Sequence, residues 1–164
     1  MLFSRKKKFF LDTSDLADGE IFLKLIRTDP GSRRRNWSPA YYFSICLAAG
    51  KTEVGRCDLR IGHNRQLYFG GNIGYQVHEP YRGHHYAAKA CRLLFGLALR
   101  HDLGYVLITC NPDNLPSRRT CEGLGGELID IAAVPPDNEM YQRGEFEKCI
   151  FRFKLPYGEP ARPL

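Results

Sequence analysis

The residues from Gly74 to Ala87 constrain the fold most, because the periodicity of the chain changes within them. Upstream, apolar residues alternate at a period of two. Downstream, Tyr86, Ala90, Leu93, Leu94, Leu97 and His101 recur at helical spacing, with Lys89, Arg92 and Arg100 on the other side. Pro80 ends the strand and Gly83 permits a tight turn. A helix is expected from about His84, with Gly104 read as its C-cap. The first N–H groups of such a helix have no intrahelical partner and lie at the positive end of its dipole. A phosphate satisfies them, and Arg82 adds a positive charge beside it. From these residues alone, an anion site and a plain tight turn with a surface arginine both remain open.

Four strands are expected before this switch. Glu20 to Arg27 alternates, with Ile21, Leu23 and Leu25 on one face. Ala40 to Leu47 and Glu53 to Ile61 read as a hairpin about Ala49-Gly50-Lys51. Leu67 to Val77 reads as the fourth strand, interrupted by Gly70, Gly71 and Gly74, which suggest a bulge or a close-approaching ligand. After the helix, Tyr105 to Cys110 reads as a buried strand, so that strand, helix and strand form a crossover unit. Asp113 or Asn114 is placed to cap a second helix that tolerates Pro116 and ends at Gly125-Gly126. Glu127 to Ile131 and Lys148 to Leu155 read as closing strands. The fold class is therefore α+β (mixed α/β), in one domain spanning 1–164, with 1–12 and 156–164 read as loose tails.

Composition narrows the function classes. No apolar run approaches the ~20 residues of a membrane helix, so a soluble, cytoplasmic protein is expected. Six cysteines occur without any Cys-x-x-Cys pair and read as reduced core residues rather than zinc ligands. The net charge of +6 owes part of its surplus to Arg5-Lys6-Lys7-Lys8 and Arg33-Arg34-Arg35. No aromatic residues interleave with them to stack bases, which disfavours a nucleic-acid partner. His84 and His85, adjacent on a helix, point about 100° apart and do not share a metal ion, so no metal is expected.

Arg82-Gly83-His84-His85-Tyr86-Ala87 resembles the acetyl-CoA pyrophosphate loop of the GNAT acetyltransferases, a motif of Gln or Arg, two residues, Gly, one residue, then Gly or Ala. Arg82 and Ala87 match its ends, and His85 stands where the family has its middle glycine. Asn114, Ser117, Cys121 and Gly125 resemble a second family pattern, in which Cys121 replaces a tyrosine that often protonates the leaving thiolate. The resemblance spans roughly residues 20–155. It implies an N-acetyltransferase that moves an acetyl group from acetyl-CoA to a primary amine by direct attack. It also leaves open a non-catalytic acetyl-CoA-binding protein.

The resemblance further implies that the fourth and fifth strands splay apart around the cosubstrate. Backbone groups of Tyr75, Gln76 and Val77 would hold the pantetheine arm, Arg82 to Ala87 the diphosphate, and Asn114 and Ser117 the arm again. Asp58, Glu79 and His78 are candidates by location for the base that deprotonates the amine. Cys121 is a candidate acid or, less favourably, nucleophile. The acceptor, a small molecule or a peptide, would lie between residues 28–40 and 134–147, with Trp37, Tyr41 and Tyr141 as aromatic walls. A homodimer is compatible with the family.

Overall fold

A computed structural model describes residues 8–160. The chain begins with an antiparallel meander of β1 (Ile21–Asp29), β2 (Ala40–Leu47), β3 (Glu53–Arg60) and β4 (Ile73–Val77). A short helix, α1 (Arg65–Gly70), lies between β3 and β4. Then come a 3-10 turn at Glu79–Tyr81, α2 (Tyr86–Arg100), β5 (Tyr105–Cys110), α3 (Leu115–Gly123), β6 (Glu127–Ala133), α4 (Glu139–Gln142) and β7 (Glu147–Lys154). The second sheet has the order β5-β7-β6.

The core lies between the meander and α2. Inward residues of the strands, among them Ile21, Leu23, Phe43, Ile45 and Leu59, meet Ala90, Leu94, Leu97 and Ala98 of the helix, all at most 4% exposed. Burying each large apolar side chain contributes roughly 1.5–3 kcal/mol. The six cysteines are free and buried, as small hydrophobes within this interior. Among the described residues no helix is long and apolar enough to cross a membrane.

The strand expected over Leu67 to Val77 is a helix followed by a shorter strand. Asn64 caps α1 by accepting the Leu67 N–H at 2.9 Å, and Leu67 and Phe69 are buried. Gly71, at φ 75°, then turns the chain into β4. An ideal Cβ there would lie 3.0 Å from the Leu107 carbonyl oxygen, so a glycine lets β5 approach closely. The main helix starts at Tyr86 rather than His84, and its last turn is closed by Asp102 at φ 60° rather than by Gly104.

Residues 8–12 and 156–160, expected to be loose, make specific contacts. The Leu11 N–H donates to the Tyr41 hydroxyl at 2.8 Å, and Phe10 packs edge-on to that ring. The Tyr157 ring packs tilted against Phe95, and Arg92 pairs with Glu159. Residues 1–7 and 161–164 of the expected tails, and with them most of the Arg5–Lys8 cluster, lie outside the described residues.

Candidate active site

The two sheets meet at one residue. Asn72 is fully buried, and its backbone N–H donates to the Leu107 carbonyl at 2.7 Å while its Oδ1 accepts the Leu107 N–H at 2.9 Å. Its Nδ2 donates to the carbonyls of Arg60 and Gly62. Beyond this joint, β4 and β5 share no ladder. They enclose a cleft of about 280 Å³ that Gly74, Tyr75, Thr109, Cys110, Ser117 and Lys148 help to line.

The open edge of β4 follows from hydrogen-bond alternation. The Asn72 carbonyl and the His78 N–H both point to β3, bonding Arg60 and Val54 at 2.7 and 2.8 Å. Antiparallel geometry then sends the groups of Gly74 and Gln76 to β3 as well, and turns those of Ile73, Tyr75 and Val77 toward the cleft. The Val77 carbonyl on that open side accepts from Arg82 Nε at 3.1 Å. Of the three residues expected to offer backbone to a pantetheine arm, Tyr75 and Val77 thus face the cleft and Gln76 faces the neighbouring strand.

Arg82, Gly83, His84 and His85 are exposed where β4 leads into α2, while Tyr86 is buried and Ala87 half-buried. The first bond that closes the helix is from Lys89 N–H to the His85 carbonyl at 3.0 Å, so the N–H groups of Tyr86, Ala87 and Ala88 have no intrahelical partner. His85 is the N-cap at φ 61°, ψ 24°, a left-handed conformation that a side chain disfavours. A helix starting at about His84 would have put this residue just inside it. The structure places it one position outside, where glycine is unstrained. Replacing His85 by Gly is therefore expected to raise stability by about 0.5–1 kcal/mol, read from the urea unfolding midpoint. A drop in the midpoint would mean that the imidazole makes contacts that outweigh the backbone strain.

The three candidates for the base do not converge. Asp58 sits on β3 opposite Gly74, its side chain 16% exposed, with Oδ2 3.0 Å from Arg60 Nη2. Its contact with Arg60 is poorly aligned for a hydrogen bond, which leaves Oδ2 without one. Burial raises the Asp58 pKa, and Arg60 only partly opposes this. An ideal Cβ on Gly74 would lie 2.6 Å from Asp58 Oδ1, so the glycine makes room for the carboxylate. Glu79 is exposed in the 3-10 turn at the opposite end of β4. His78 binds Glu53 at 3.1 Å, and that carboxylate also accepts from Ser44 at 2.6 Å.

On α3, Asn114 is exposed and caps the helix, its Oδ1 accepting the Ser117 N–H at 3.3 Å. Cys121 is fully buried, and desolvation pushes its thiol up to about 12. A thiolate nucleophile is disfavoured in those surroundings. Sequence reasoning missed Lys148, which is 7% exposed and tied to Glu145 and to Asn111 Oδ1. It missed Asn72 as well. Among the described residues, no group of three or more His, Cys, Asp or Glu is arranged to hold a metal.

A second depression, of about 340 Å³, is lined by Trp37, Arg65, Gln66, Asp137, Met140 and Arg143. It lies between the two segments expected to flank an acceptor. Trp37 is half exposed beneath Arg35, whereas Tyr141 packs against Phe146 and Tyr41 is buried in the core. Only Trp37 of the three expected aromatic walls therefore faces this space.

A four-strand meander and a second sheet that part beyond Asn72, with a long helix following the fourth strand, define the fold. The family model described as an acetyltransferase (GNAT) domain matches residues 5–127, and the chain belongs to that family. No curated protein matches its sequence. Among solved structures it resembles the GNAT-family acetyltransferase of Bacillus anthracis, at 19% identity over 69% of this chain and 65% of that one, with a TM-score of 0.55. It also resembles the ribosomal-protein-S5-alanine acetyltransferase of Vibrio fischeri, at 17% identity over 77% and 67%, with a TM-score of 0.57. A third likeness is to the microcin C7 self-immunity acetyltransferase MccE, solved with acetyl-CoA and AMP, at 17% over 71% and 61%, with a TM-score of 0.54. The chain spans 65% of the Bacillus protein and 61% of MccE, and at these identities the likeness is one of fold.

Proposed function

We propose that this protein is an N-acetyltransferase that takes its acetyl group from acetyl-CoA and passes it to a primary amine. The observations that carry the reading are the cleft between β4 and β5, with a strand edge turned into it at Tyr75, and the start of α2 after β4, where the first N–H groups have no intrahelical partner. The residues present fit the cosubstrate. An amide-containing arm suits an open strand edge, and a diphosphate suits a helix N-terminus flanked by Arg82. Asn114 and Ser117 line the far side of the same cleft.

Bound there, acetyl-CoA supplies an activated acyl group. Asp58 is the carboxylate of this chain best placed to take the proton from an amine, because it is largely enclosed and lies across from Gly74. A Lys-like amine has a pKa near 10.4 and must lose a proton before it attacks. Glu79 stands beside the diphosphate site and has no part in that step. The depression beside Trp37 is the proposed acceptor site, for a peptide or a small amine.

The test is CoA release, followed with a thiol reagent, across a panel of peptides with free N-termini, polyamines and aminoglycosides. Turnover with any member supports the reading. Acetyl-CoA binding with no turnover on any amine would favour a sensing role, consistent with Cys121 in place of the family tyrosine.

A further inference from the structure

The Arg33-Arg34-Arg35 run has no task in the cleft between β4 and β5. It sits at the tip of the connection from β1 to β2. Ser32 and Trp37 exchange both backbone hydrogen bonds at 2.9 Å, so Arg33, Arg34, Arg35 and Asn36 form a closed turn, with all four residues exposed. Local contacts hold the turn in one shape. The Gly31 N–H donates to Asp29 Oδ1 at 2.8 Å, and the Arg35 N–H donates to Ser32 Oγ at 3.3 Å. An ideal Cβ on Gly31 would lie 2.5 Å from the Trp37 carbonyl oxygen, so only glycine lets the turn close. Asn36, at φ 55°, takes a left-handed conformation that asparagine tolerates better than most residues. From the α1 side, Asn64 Nδ2 donates to Ser38 Oγ at 3.1 Å, and Gln66 reaches the Arg35 carbonyl at 3.5 Å.

Among the described residues, none of the three arginines enters an ion pair, whereas Arg27, Arg65 and Arg143 pair with Asp29, Asp137 and Glu145. Like charges held side by side repel one another, and an incoming anion relieves that repulsion. Because the turn is already ordered, docking on it costs little chain entropy. The turn also borders the proposed acceptor site. Arg35 lies over the Trp37 ring at 5.0 Å, and Trp37 and Gln66 both line that depression.

Asp137 and Glu139 line the same depression, so carboxylates within it accompany unpaired cations beside it. A polyamine answers only the carboxylates. A nucleic-acid backbone answers only the arginines and sets its phosphates against Asp137 and Glu139. A peptide with an N-terminal ammonium followed by acidic side chains answers both. Each arginine fork is also shaped to take two carboxylate oxygens at once.

We propose that the turn at Arg33, Arg34 and Arg35 is a docking surface for the acidic segment of a peptide acceptor, whose N-terminal amine enters the depression beside Trp37. This rests on the acetyl-transfer reading above, and it narrows the acceptor to an acidic peptide.

The experiment uses the full chain and two peptides, Ala-Ala followed by six Glu or by six Gln, each carrying a fluorophore at its C-terminus. Binding is read by anisotropy and acetyl transfer by CoA release, with a labelled single-stranded RNA as a third ligand. At low salt the Glu peptide is expected to bind at least about tenfold more tightly than the Gln peptide, with the same preference in kcat/KM. The preference is expected to fall below about twofold in Arg33→Gln/Arg34→Gln/Arg35→Gln, and in the wild type at about 0.5 M salt. The Gln peptide and acetyl-CoA are expected to bind the triple variant as they bind the wild type, which separates lost charge from lost fold. Where the variant does not fold, the salt series on the wild type decides. Equal affinity for the two peptides overturns the proposal, and so does a preference that survives in the folded variant. RNA that binds the wild type more tightly than the Glu peptide does, and loses that affinity in the variant, overturns it in favour of a nucleic-acid surface. Preference for the Glu peptide without CoA release from either peptide supports the docking surface and sinks the transfer reading, so the two fail separately.

Discussion

Asn72→Ala is expected to destabilise the protein by about 3–5 kcal/mol, the largest effect of any single polar truncation proposed here. The side chain is fully buried and makes three hydrogen bonds, to Arg60, Gly62 and Leu107. Its removal strands two carbonyls and one N–H, and each unsatisfied buried group costs roughly 1–3 kcal/mol. The substitution Asn72→Asp does not rescue it. A carboxylate keeps the acceptor for the Leu107 N–H but sets its charge against two carbonyl oxygens. Because Asn72 is where the sheets join, its loss is also expected to weaken acetyl-CoA binding in whatever fraction stays folded. Urea denaturation checks the first effect. A shift below about 1 kcal/mol would mean that the joint is held elsewhere.

Asp58→Asn is expected to lower kcat by at least about 100-fold, the ordinary contribution of a positioned base. The change is nearly isosteric, and Arg60 keeps its bonds to the Gly70 and Gly71 carbonyls, so the fold is expected to persist. The sign of the pH dependence follows from burial. A base works in its ionised form, and burial raises the pH at which Asp58 ionises. Activity governed by Asp58 therefore falls as pH drops through a value above the usual carboxylate range, and that limb disappears in the Asn variant. A limb unchanged in Asp58→Asn would assign the titration to the amine substrate, and an unchanged kcat would remove Asp58 from the chemistry.

The meander, the long helix and the capped α3 were legible because each repeats its signal over many residues. Ala40–Leu47 is dense in aromatic and β-branched side chains, and Tyr86 to His101 holds its period over four turns. The α1 helix was misread for a physical reason. Over six residues, Leu67 and Phe69 at spacing two satisfy a strand pattern as well as a single helical turn does. The Asn64 cap was the available signal. His85 hid its own geometry. Its motif position is glycine in the family, and that identity, more than its place near a helix, foretold a left-handed backbone. Asn72 and Lys148 carry no local signal, since their importance lies in partners that only folding supplies.

Acetyl-CoA is expected to bind in the cleft between β4 and β5, with its diphosphate at the N-terminus of α2. This is tested most directly by calorimetric titration of acetyl-CoA into the wild type and Arg82→Ala. Saturable binding at one site per chain is expected, weakened about tenfold in the variant, or about 1.4 kcal/mol. A well-folded wild type that gives no binding heat and protects no residue of the cleft would contradict it, leaving an acetyltransferase fold without its cosubstrate.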